Sequence, residues 1–453
     1  MARPVEERGD SVQPVKNREM EIRDLHSLFL ESSGVTTDTR EIKSGAIFFA
    51  LKGENFDGND FALKAIELGA SWSVCDRPGV TGIRIINVDD SLKTLQELAA
   101  FNRRYFGIPL FSLTGTNGKT TTKELIASVL SRKYRVLSTA GNLNNHIGVP
   151  LTLLKMEGKT EIAVVEMGAS APGEIELLCN IATPDAGLIT NIGKAHLLGF
   201  GSYEGVRKTK GELYDYLLNN SGKALYNIDN PILGEMIKER KGINSIAYGR
   251  SLSEAQILPV SPESPFLRIR LGSGKTINTN MIGSYNADNV FAAIAAGSLY
   301  NIPLDLAIKA IEEYHPSNNR SQLSTGEKNT LIIDAYNANP TSMRAAIENF
   351  RDMIAERKAL VLGDMLELGE YSANEHIDIL KLAINISPEK IFLVGKEFGK
   401  AVIDSAQGDP SVELFENSEA LKERLEKRPV SGMTILVKGS RGTKLERAIP
   451  ALL

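Results

Sequence analysis

Cysteine is scarce in this 453-residue chain, which has two, Cys75 and Cys179. They stand far apart in apolar sequence, and we interpret them as reduced core residues rather than a disulfide or a metal pair. An excess of positive charge is also missing, because the net charge is -4. A broad nucleic-acid surface, which is usually basic, is therefore not expected. A small anionic ligand stays possible, since it needs only a local positive pocket.

Long apolar runs are absent as well. No stretch approaches the roughly 18–20 apolar residues of a membrane helix, so we expect no membrane insertion. The N-terminus has no apolar core of a secretory signal, and its first 19 residues are charged and rich in turn formers. We predict that residues 1–19 form a disordered extension, that the folded chain starts at Met20, and that the protein is cytoplasmic.

Strand-like and helix-like patterns divide the remaining chain into three predicted domains, residues 20–107, 108–315 and 316–453. The second and third alternate strands with helices, which is typical of a mostly parallel sheet covered on both faces. The polar segment Glu313–Gln322 is the predicted linker between them. We therefore predict an α/β fold. In open sheets of this kind, ligands bind beyond the carboxyl ends of the strands, where the polar loops of this chain lie.

The segment "SLTGTNGKTTTKE", Ser112–Glu124, predicts a phosphate-binding turn. An apolar strand leads into glycines and then into a helical pattern, which aims backbone N–H groups at one point. Lys119 can reach a β- or γ-phosphate, and the Thr120 hydroxyl can hold Mg²⁺. The usual spacing G-x-x-x-x-G-K-[ST] would need glycine at position 113, where Leu113 stands, so the turn is shorter than the common one.

Other polar side chains lie at the ends of predicted strands or at the starts of predicted helices, and the residues alone leave their roles open. Glu166 suits Mg²⁺, a hard cation that prefers oxygen, but it could also be a surface or capping residue. His196 could face a ligand or be structural. Arg207, Lys208 and Lys210 have the spacing of a solvated basic turn. The asparagine-rich segments could meet adenine and ribose edges or cap helices.

Taken together, these segments resemble the Mur ligases. The resemblance covers about residue 20 to the end and is carried by "TDTREIKSGAIFFALKGENFDGNDF", "TGTNGKTTTKE", "NLNNHIGVPLTLL", "EMGAS", "TNIGKAHLLGFGS", "TKGELY", "DAYNANPTSM", "GDMLELG" and "VKGSRG". It implies a small N-terminal α/β domain for the uridine end of the substrate. It also implies a central ATP-binding domain with a P-loop-type parallel sheet and a Rossmann-like C-terminal lid.

The resemblance further implies an ATP-dependent ligase that adds D-alanyl-D-alanine to UDP-MurNAc-tripeptide through an acyl phosphate. The expected cofactors are ATP and Mg²⁺, the expected partners are these small molecules, and the expected state is a monomer. Two alternatives stay open at this point. A folylpolyglutamate synthase shares the phosphate turn but lacks the uridine domain. A P-loop switch or motor NTPase leaves "TDTR", "DAYNANP" and "KGSRG" unexplained.

The resemblance assigns site residues to this chain. The nucleotide contacts are Gly115, Thr116, Asn117, Gly118, Lys119, Thr120, Thr121, Asn286, Asn289, Arg320, Asp334 and Tyr336. The metal ligands are Thr120, Glu166, His196 and, if carbamylated by CO₂, Lys210. The substrate contacts are Thr39, Arg40, Lys52, Gly53, Asn144, Asn145, Asn337 and Asn339. The catalytic residues are Lys119, His196 and Lys210.

Overall fold

The computed structural model describes residues 21–260, 265–316, 320–406 and 408–453. The predicted disordered extension, residues 1–19, and Met20 lie outside this part of the chain. The chain separates into two compact units, one ending at Tyr105 and the other spanning Phe106–Leu453. Within the described ranges, no helix combines the length and the apolar character needed to cross a membrane.

The first unit is built on a small parallel sheet in the order β1-β2-β3-β4. The side chains of β2 are fully buried, as expected for a run of isoleucine and phenylalanine. In α3 the buried residues Leu95, Leu98 and Ala99 recur at helical spacing, which gives the helix its apolar face. The elements are α1 (Ile22–Glu31), β1 (Val35–Thr36), β2 (Ile47–Phe49), α2 (Ala62–Glu67), β3 (Trp72–Cys75), β4 (Ile85–Asn87) and α3 (Ser91–Phe106).

The second unit begins with a six-stranded, fully parallel sheet in the order β10-β9-β8-β5-β7-β6. Its strands are β5 (Leu110–Thr114), β6 (Val136–Ser138), β7 (Ile162–Glu166), β8 (Ala186–Ile189), β9 (Lys223–Asn227) and β10 (Asn244–Tyr248). Its helices are α4 (Lys119–Leu130), α5 (Gly148–Leu153), α6 (Glu174–Ala182), α7 (Leu197–Phe200), α8 (Tyr203–Asn219), α9 (Pro231–Glu239), α10 (Ala287–Leu299) and α11 (Leu304–Glu312). The predicted parallel α/β architecture is confirmed.

A small antiparallel sheet, β11-β12-β13, interrupts this alternation and was not predicted from the sequence. Its strands are β11 (Gln256–Ile257), β12 (Arg268–Arg270) and β13 (Thr276–Asn278). Ile269 and Ile277, which are paired across β12 and β13, are fully buried in the core that also contains α4 and α10. The added sheet therefore covers part of the parallel sheet's core.

The strand β5 occupies the centre of the parallel sheet. It pairs with β7 on one side and β8 on the other, and all five of its side chains are buried. Leu113 belongs to this buried strand, which explains why the glycine of the longer phosphate-binding spacing is absent here. Because the strand order reverses on either side of β5, its carboxyl end lies at the switch point where ligands bind in such sheets.

The end of the chain forms a second six-stranded sheet, in the order β14-β15-β19-β16-β17-β18, which is parallel except for the edge strand β14. Alternate residues of β15 enter separate hydrophobic clusters on the two faces, Ile332 in one and Ile333 in the other. The elements are β14 (Gln322–Thr325), β15 (Thr330–Asp334), α12 (Pro340–Asp352), β16 (Lys358–Gly363), α13 (Ser372–Asn385), β17 (Lys390–Val394), α14 (Lys396–Ser405), β18 (Val412–Phe415), α15 (Ser418–Lys427), β19 (Thr434–Lys438) and α16 (Ile449–Leu452). This arrangement agrees with the predicted Rossmann-like fold.

Candidate functional site

A cavity of about 710 Å³ lies in the second unit at the carboxyl ends of β5, β7 and β8. It gathers most of the predicted site residues, namely Thr116, Asn117, Gly118, Lys119, Thr120, Thr121, Asn144, Asn145, Glu166, His196, Asn286, Asn289, Arg320, Asp334, Tyr336, Asn337 and Asn339. Gly115 and Lys210 are not among its lining residues, but each contacts a residue that is. The Gly115 carbonyl accepts from Lys119, and Lys210 donates to the carbonyl of Ala169, which lines the cavity.

The turn between β5 and α4 has the geometry of a phosphate cradle. Gly115 and Gly118 have φ angles of 140° and 77°, which favour glycine. A side chain at Gly115 would also collide with Thr190, since its Cβ would lie 2.0 Å from the Thr190 hydroxyl oxygen. Lys119 starts α4, and its Nζ donates to the carbonyls of Gly115 at 2.7 Å and Thr116 at 3.1 Å. These bonds hold the ammonium next to the N-terminus of α4, and helix N-termini are sites where anions bind.

Burial lowers the pKa of Lys119, with Glu166 opposing this effect and Arg320 adding to it. Two positive groups therefore act on the same small volume as the helix N-terminus. Such a concentration of positive charge suits a polyphosphate, whose negative charge would raise the pKa of Lys119.

Glu166 ends β7 and is 2% exposed. Its Oε1 accepts a hydrogen bond from Asn144 Nδ2 at 2.8 Å, whereas Oε2 is buried and has no hydrogen-bond partner within the described ranges. A buried carboxylate oxygen without a partner costs free energy, so this atom is suited to receive a cation. Thr120, whose hydroxyl is a further oxygen donor, lines the same cavity. These oxygen donors fit Mg²⁺.

The protein donors alone make an incomplete metal site. In the part of the chain that the structure describes, no group of three or more His, Cys, Asp or Glu residues could hold a metal ion by itself. Mg²⁺ is usually bound by one or two carboxylates together with substrate phosphates and water. The arrangement around Glu166 therefore fits a magnesium ion that arrives with a nucleotide.

Lys210 lies on α8 and is 2% exposed. Its Nζ donates to the Ala169 carbonyl at 3.2 Å and lies 5.2 Å from the centre of the Phe200 ring. Burial, with a smaller contribution from Lys119, lowers the pKa of Lys210 to about 7. A large fraction of this amine is therefore neutral and nucleophilic at neutral pH, as a reaction with CO₂ requires.

His196 adopts a left-handed backbone conformation, with φ of 51°, directly before α7. Its Nδ1 pairs with the Glu367 carboxylate. Burial lowers the pKa of His196; Glu367 opposes this effect, and Lys119 and Lys210 reinforce it. The neutral imidazole, which is the form that binds metals, is therefore favoured near pH 7.

Two buried asparagines line the cavity beside the cradle. Asn289 Nδ2 donates to Asn286 Oδ1 at 2.8 Å, and Asn289 Oδ1 accepts from the Thr122 hydroxyl at 2.9 Å. Asn286 Nδ2 donates to the Ile282 carbonyl at 2.7 Å. These bonds fix both amides against α4. Their predicted contact with adenine stays a prediction.

On the side of the C-terminal sheet, the Arg320 guanidinium stacks on the Tyr336 ring, 3.7 Å from its centre, and Arg320 Nε is buried without a hydrogen-bond partner in the described ranges. Asp334, at the end of β15, pairs with Lys438 at 2.5 Å. Lys438 is 1% exposed and lines the cavity, but sequence reasoning did not single it out. Its position at the end of β19, within the quoted "VKGSRG", was the available signal.

The C-terminal domain contacts the cradle directly. Asn339 Nδ2 donates to Asn117 Oδ1 at 2.7 Å, and Asn339 Oδ1 accepts from the Ser342 backbone N–H as the cap of α12. Lys194 Nζ pairs with Glu375 at 2.6 Å. The Asn339 amide is thus used by the cap and the cradle, and its predicted contact with the incoming dipeptide stays a prediction.

The remaining predicted substrate residues belong to the first unit, and their assignment is likewise a prediction: Thr39, Arg40, Lys52 and Gly53. Thr39 begins a short 3-10 helix that Asp38 caps, and the exposed Arg40 pairs with Asp38 at 2.5 Å. Lys52 pairs with Asp76 at 3.0 Å.

Three models of the Mur ligase family match successive parts of the chain. The model of the "Mur ligase family, catalytic domain" matches residues 31–103, that of the "Mur ligase middle domain" matches residues 113–297, and that of the "Mur ligase, glutamate ligase domain" matches residues 319–441.

Individual relatives match over nearly the whole chain. The UDP-N-acetylmuramoyl-tripeptide–D-alanyl-D-alanine ligase of Bacillus subtilis is 38% identical over 93% of both chains. The crystal structure of MurF from Acinetobacter baumannii has a TM-score of 0.83 at 30% identity and covers 92% of both chains. The MurF ligase of Thermotoga maritima in complex with ADP has a TM-score of 0.82 at 27% identity, covering 94% of this chain and 97% of that one. The chain therefore belongs to the Mur ligase family.

Proposed function

We propose that this chain is the ATP-dependent ligase that joins D-alanyl-D-alanine to UDP-MurNAc-tripeptide, giving UDP-MurNAc-pentapeptide, ADP and phosphate. Relatives that carry this name match more than 90% of the chain. The observation that carries the mechanism is the shared cavity. It combines a lysine at a phosphate cradle, a buried carboxylate with an open oxygen and, behind its wall, a lysine of depressed pKa.

The first step activates a poor acylating agent. An oxygen of the tripeptide's terminal carboxylate attacks the γ-phosphorus of ATP, the bond from that phosphorus to the bridging oxygen breaks, and ADP leaves. Both reactants are anions, so they must be brought together against their repulsion. Lys119 and the N–H groups at the start of α4 hold the β- and γ-phosphates and stabilise the transferred charge.

The second step forms the amide. The amine of D-alanyl-D-alanine attacks the acyl carbon, a tetrahedral intermediate forms, and it collapses with loss of phosphate and a proton. Water would compete with the amine for the acyl phosphate. The Asn339–Asn117 and Lys194–Glu375 contacts join the C-terminal domain to the cradle side of the cavity, and they support a role of that domain in excluding water.

Thr120, Glu166, His196 and carbamylated Lys210 are the proposed magnesium ligands. Bound there, Mg²⁺ would supply positive charge that offsets the repulsion between the triphosphate and the carboxylate. The Lys210 ammonium first loses a proton, and the neutral amine then attacks the carbon of CO₂ and loses a second proton, so that a carboxylate-like anion replaces the cation. Lys210→Ala should therefore lose activity and regain part of it with added short-chain carboxylates. Full activity of the variant without supplement would contradict the carbamate.

The other proposed assignments follow the family pattern. Asn286, Asn289, Arg320, Asp334 and Tyr336 meet the adenosine. Thr39, Arg40, Lys52 and Gly53 meet the uridine diphosphate, and Asn144, Asn145, Asn337 and Asn339 meet the peptide and dipeptide. We also propose domain limits of 20–107, 108–315 and 316–453, a monomeric state and a cytoplasmic location, where the nucleotide substrates are available.

The decisive experiment measures ADP release from the full chain with UDP-MurNAc-tripeptide and ATP, with and without D-alanyl-D-alanine. The ligase reaction requires that turnover depend on the dipeptide and that the pentapeptide product appear by mass spectrometry. Turnover independent of the dipeptide would instead favour a switch or motor NTPase. A parallel reaction with a folate and glutamate tests the folylpolyglutamate synthase alternative and should show no product.

A further inference from the structure

Lys123 is a buried lysine to which the mechanism above gives no role. It lies on α4, one turn after Lys119, and is 3% exposed. A buried ammonium costs free energy unless its contacts compensate for it, whereas a methionine would fill similar space without that cost. Among the described residues, the other buried lysines are Lys210 and Lys438, and both lie at the functional cavity.

The contacts of Lys123 connect the cradle helix to the neighbouring strands. Its Nζ donates to the Thr139 carbonyl at 2.8 Å and lies 3.5 Å from the Glu124 carboxylate. Thr139 directly follows β6, is 1% exposed, and donates its own N–H to the Val164 carbonyl of β7 at 3.1 Å. Lys123 therefore fixes the end of β6 to the helix that begins with the cradle lysine.

A second hydrogen bond extends this connection to Glu166. The Thr139 hydroxyl oxygen accepts from the backbone N–H of Glu166 at 2.9 Å. The chain of contacts thus runs from α4 through Lys123 and Thr139 to the residue whose Oε2 has no hydrogen-bond partner in the described ranges. Groups that orient a metal ligand commonly affect metal affinity by 10- to 100-fold, although they do not touch the metal.

We propose that Lys123 and Thr139 are positioning residues that set the place of the Glu166 carboxylate relative to the cradle, and thereby the magnesium affinity of the nucleotide-loaded site. Lys123 places the Thr139 backbone, and the Thr139 hydroxyl places the Glu166 backbone. The inference rests on the proposed role of Glu166 as a magnesium ligand.

The test compares ADP affinity with excess Mg²⁺ and with EDTA by isothermal titration calorimetry on the full chain. The ratio of the two affinities reports magnesium binding separately from the cradle's hold on the phosphates. Lys123→Met and Thr139→Val should lower this ratio by about 10-fold or more. Thr139→Ser keeps the hydroxyl and should stay within about threefold of the unmodified protein. Ser128→Ala removes a different hydrogen bond of α4, to the Ala310 carbonyl, and should leave the ratio unchanged.

An unchanged ratio in Thr139→Val would overturn the proposal, and so would an equal loss of affinity in Mg²⁺ and EDTA, which indicates general damage to the cradle. Should Lys123→Met fail to fold, the comparison of Thr139→Val with Thr139→Ser decides alone. Glu166→Gln tests the proposed ligand role of Glu166 separately from the positioning role of Lys123 and Thr139. A ratio unaffected by Glu166→Gln refutes the ligand role itself, whereas a ratio lowered there but not in Thr139→Val refutes only the positioning chain.

Discussion

Replacing Lys210 with methionine should make the protein more stable below pH 7 and inactive as a ligase. The Lys210 ammonium is buried, donates to one backbone carbonyl and lies beside an aromatic ring. The nearby carboxylates of Glu174 and Glu212 offset only part of the effect of burial and of Lys119 on its pKa. Methionine is unbranched and apolar, so it can occupy similar space without carrying a charge into the interior. The same substitution removes the amine on which the proposed carbamate forms.

The size of the gain follows from the pKa. The pKa of Lys210 is 10.5 in the unfolded chain and about 7 in the fold. Each unit of this difference lowers the free energy of unfolding of the protonated protein by about 1.4 kcal/mol, or about 5 kcal/mol in all. Because the folded pKa is the lower one, the unfolded chain binds more protons between pH 7 and 10.5, and stability rises with pH across this window. The advantage of Lys210→Met should therefore be largest below pH 7 and disappear by about pH 10.5.

Urea unfolding followed by far-UV circular dichroism at pH 6, 7, 8 and 9 measures this profile, in buffers depleted of CO₂ so that no carbamate forms. Tryptophan fluorescence is unsuitable, because the single tryptophan, Trp72, lies in the first unit. Lys208→Met on the same helix is the control, since Lys208 is exposed. A variant less stable than the parent at pH 6, or a difference that does not change with pH, would show that the buried Lys210 ammonium does not destabilise the fold.

Three further predictions concern the cavity. Glu166→Gln should raise the Mg²⁺ concentration for half-maximal ADP release by about 10-fold or more, and an unchanged midpoint would contradict the proposed ligand role. Gly118→Ala should weaken ADP binding measured by calorimetry, because φ is 77° and the new Cβ would lie 2.7 Å from Asn289 Oδ1; equal affinity would refute this. Asp334→Asn should cost about 3–5 kcal/mol by stranding the buried Lys438 ammonium, and adding Lys438→Met should recover most of that loss in urea unfolding. Additive effects of the two changes would show that the pair is not coupled.

The parallel sheets could be predicted because their signals are local. The β5–cradle–α4 segment combines an apolar run, glycines and a helical period within about twenty residues, and each signal supports the others. The antiparallel sheet β11-β12-β13 has no comparable signal, since its strands are two or three residues long. This sheet is stabilised by the pairing of strands that are separated in the sequence and by the burial of Ile269 and Ile277. Neither feature can be recognised in a short segment of the sequence.

The site was predictable to the extent that it follows strand ends. Glu166 ends a predicted strand and His196 follows one, and the structure brings both into the cavity. Lys438 pairs with Asp334 across 104 residues of sequence, so its role depends on which strands become neighbours. The spacing around Lys210 indicated a solvated basic turn. Its burial arises from the packing of α8 against α6 and β8, which is a property of the tertiary structure.

The hydrogen bonds of Lys119 limit how much this lysine can add to nucleotide affinity. Its ammonium is already bonded to the carbonyls of Gly115 and Thr116. To reach a phosphate oxygen it must exchange acceptors, so the number of its hydrogen bonds need not increase on binding. The exchange of one hydrogen bond for a similar one adds little to the free energy of binding. The larger part of the lysine's contribution comes from the negative charge of the new acceptor. A bound phosphate replaces backbone carbonyls as the acceptor of Lys119. The affinity of the cradle should therefore depend more on the charge of the phosphate group than on its shape.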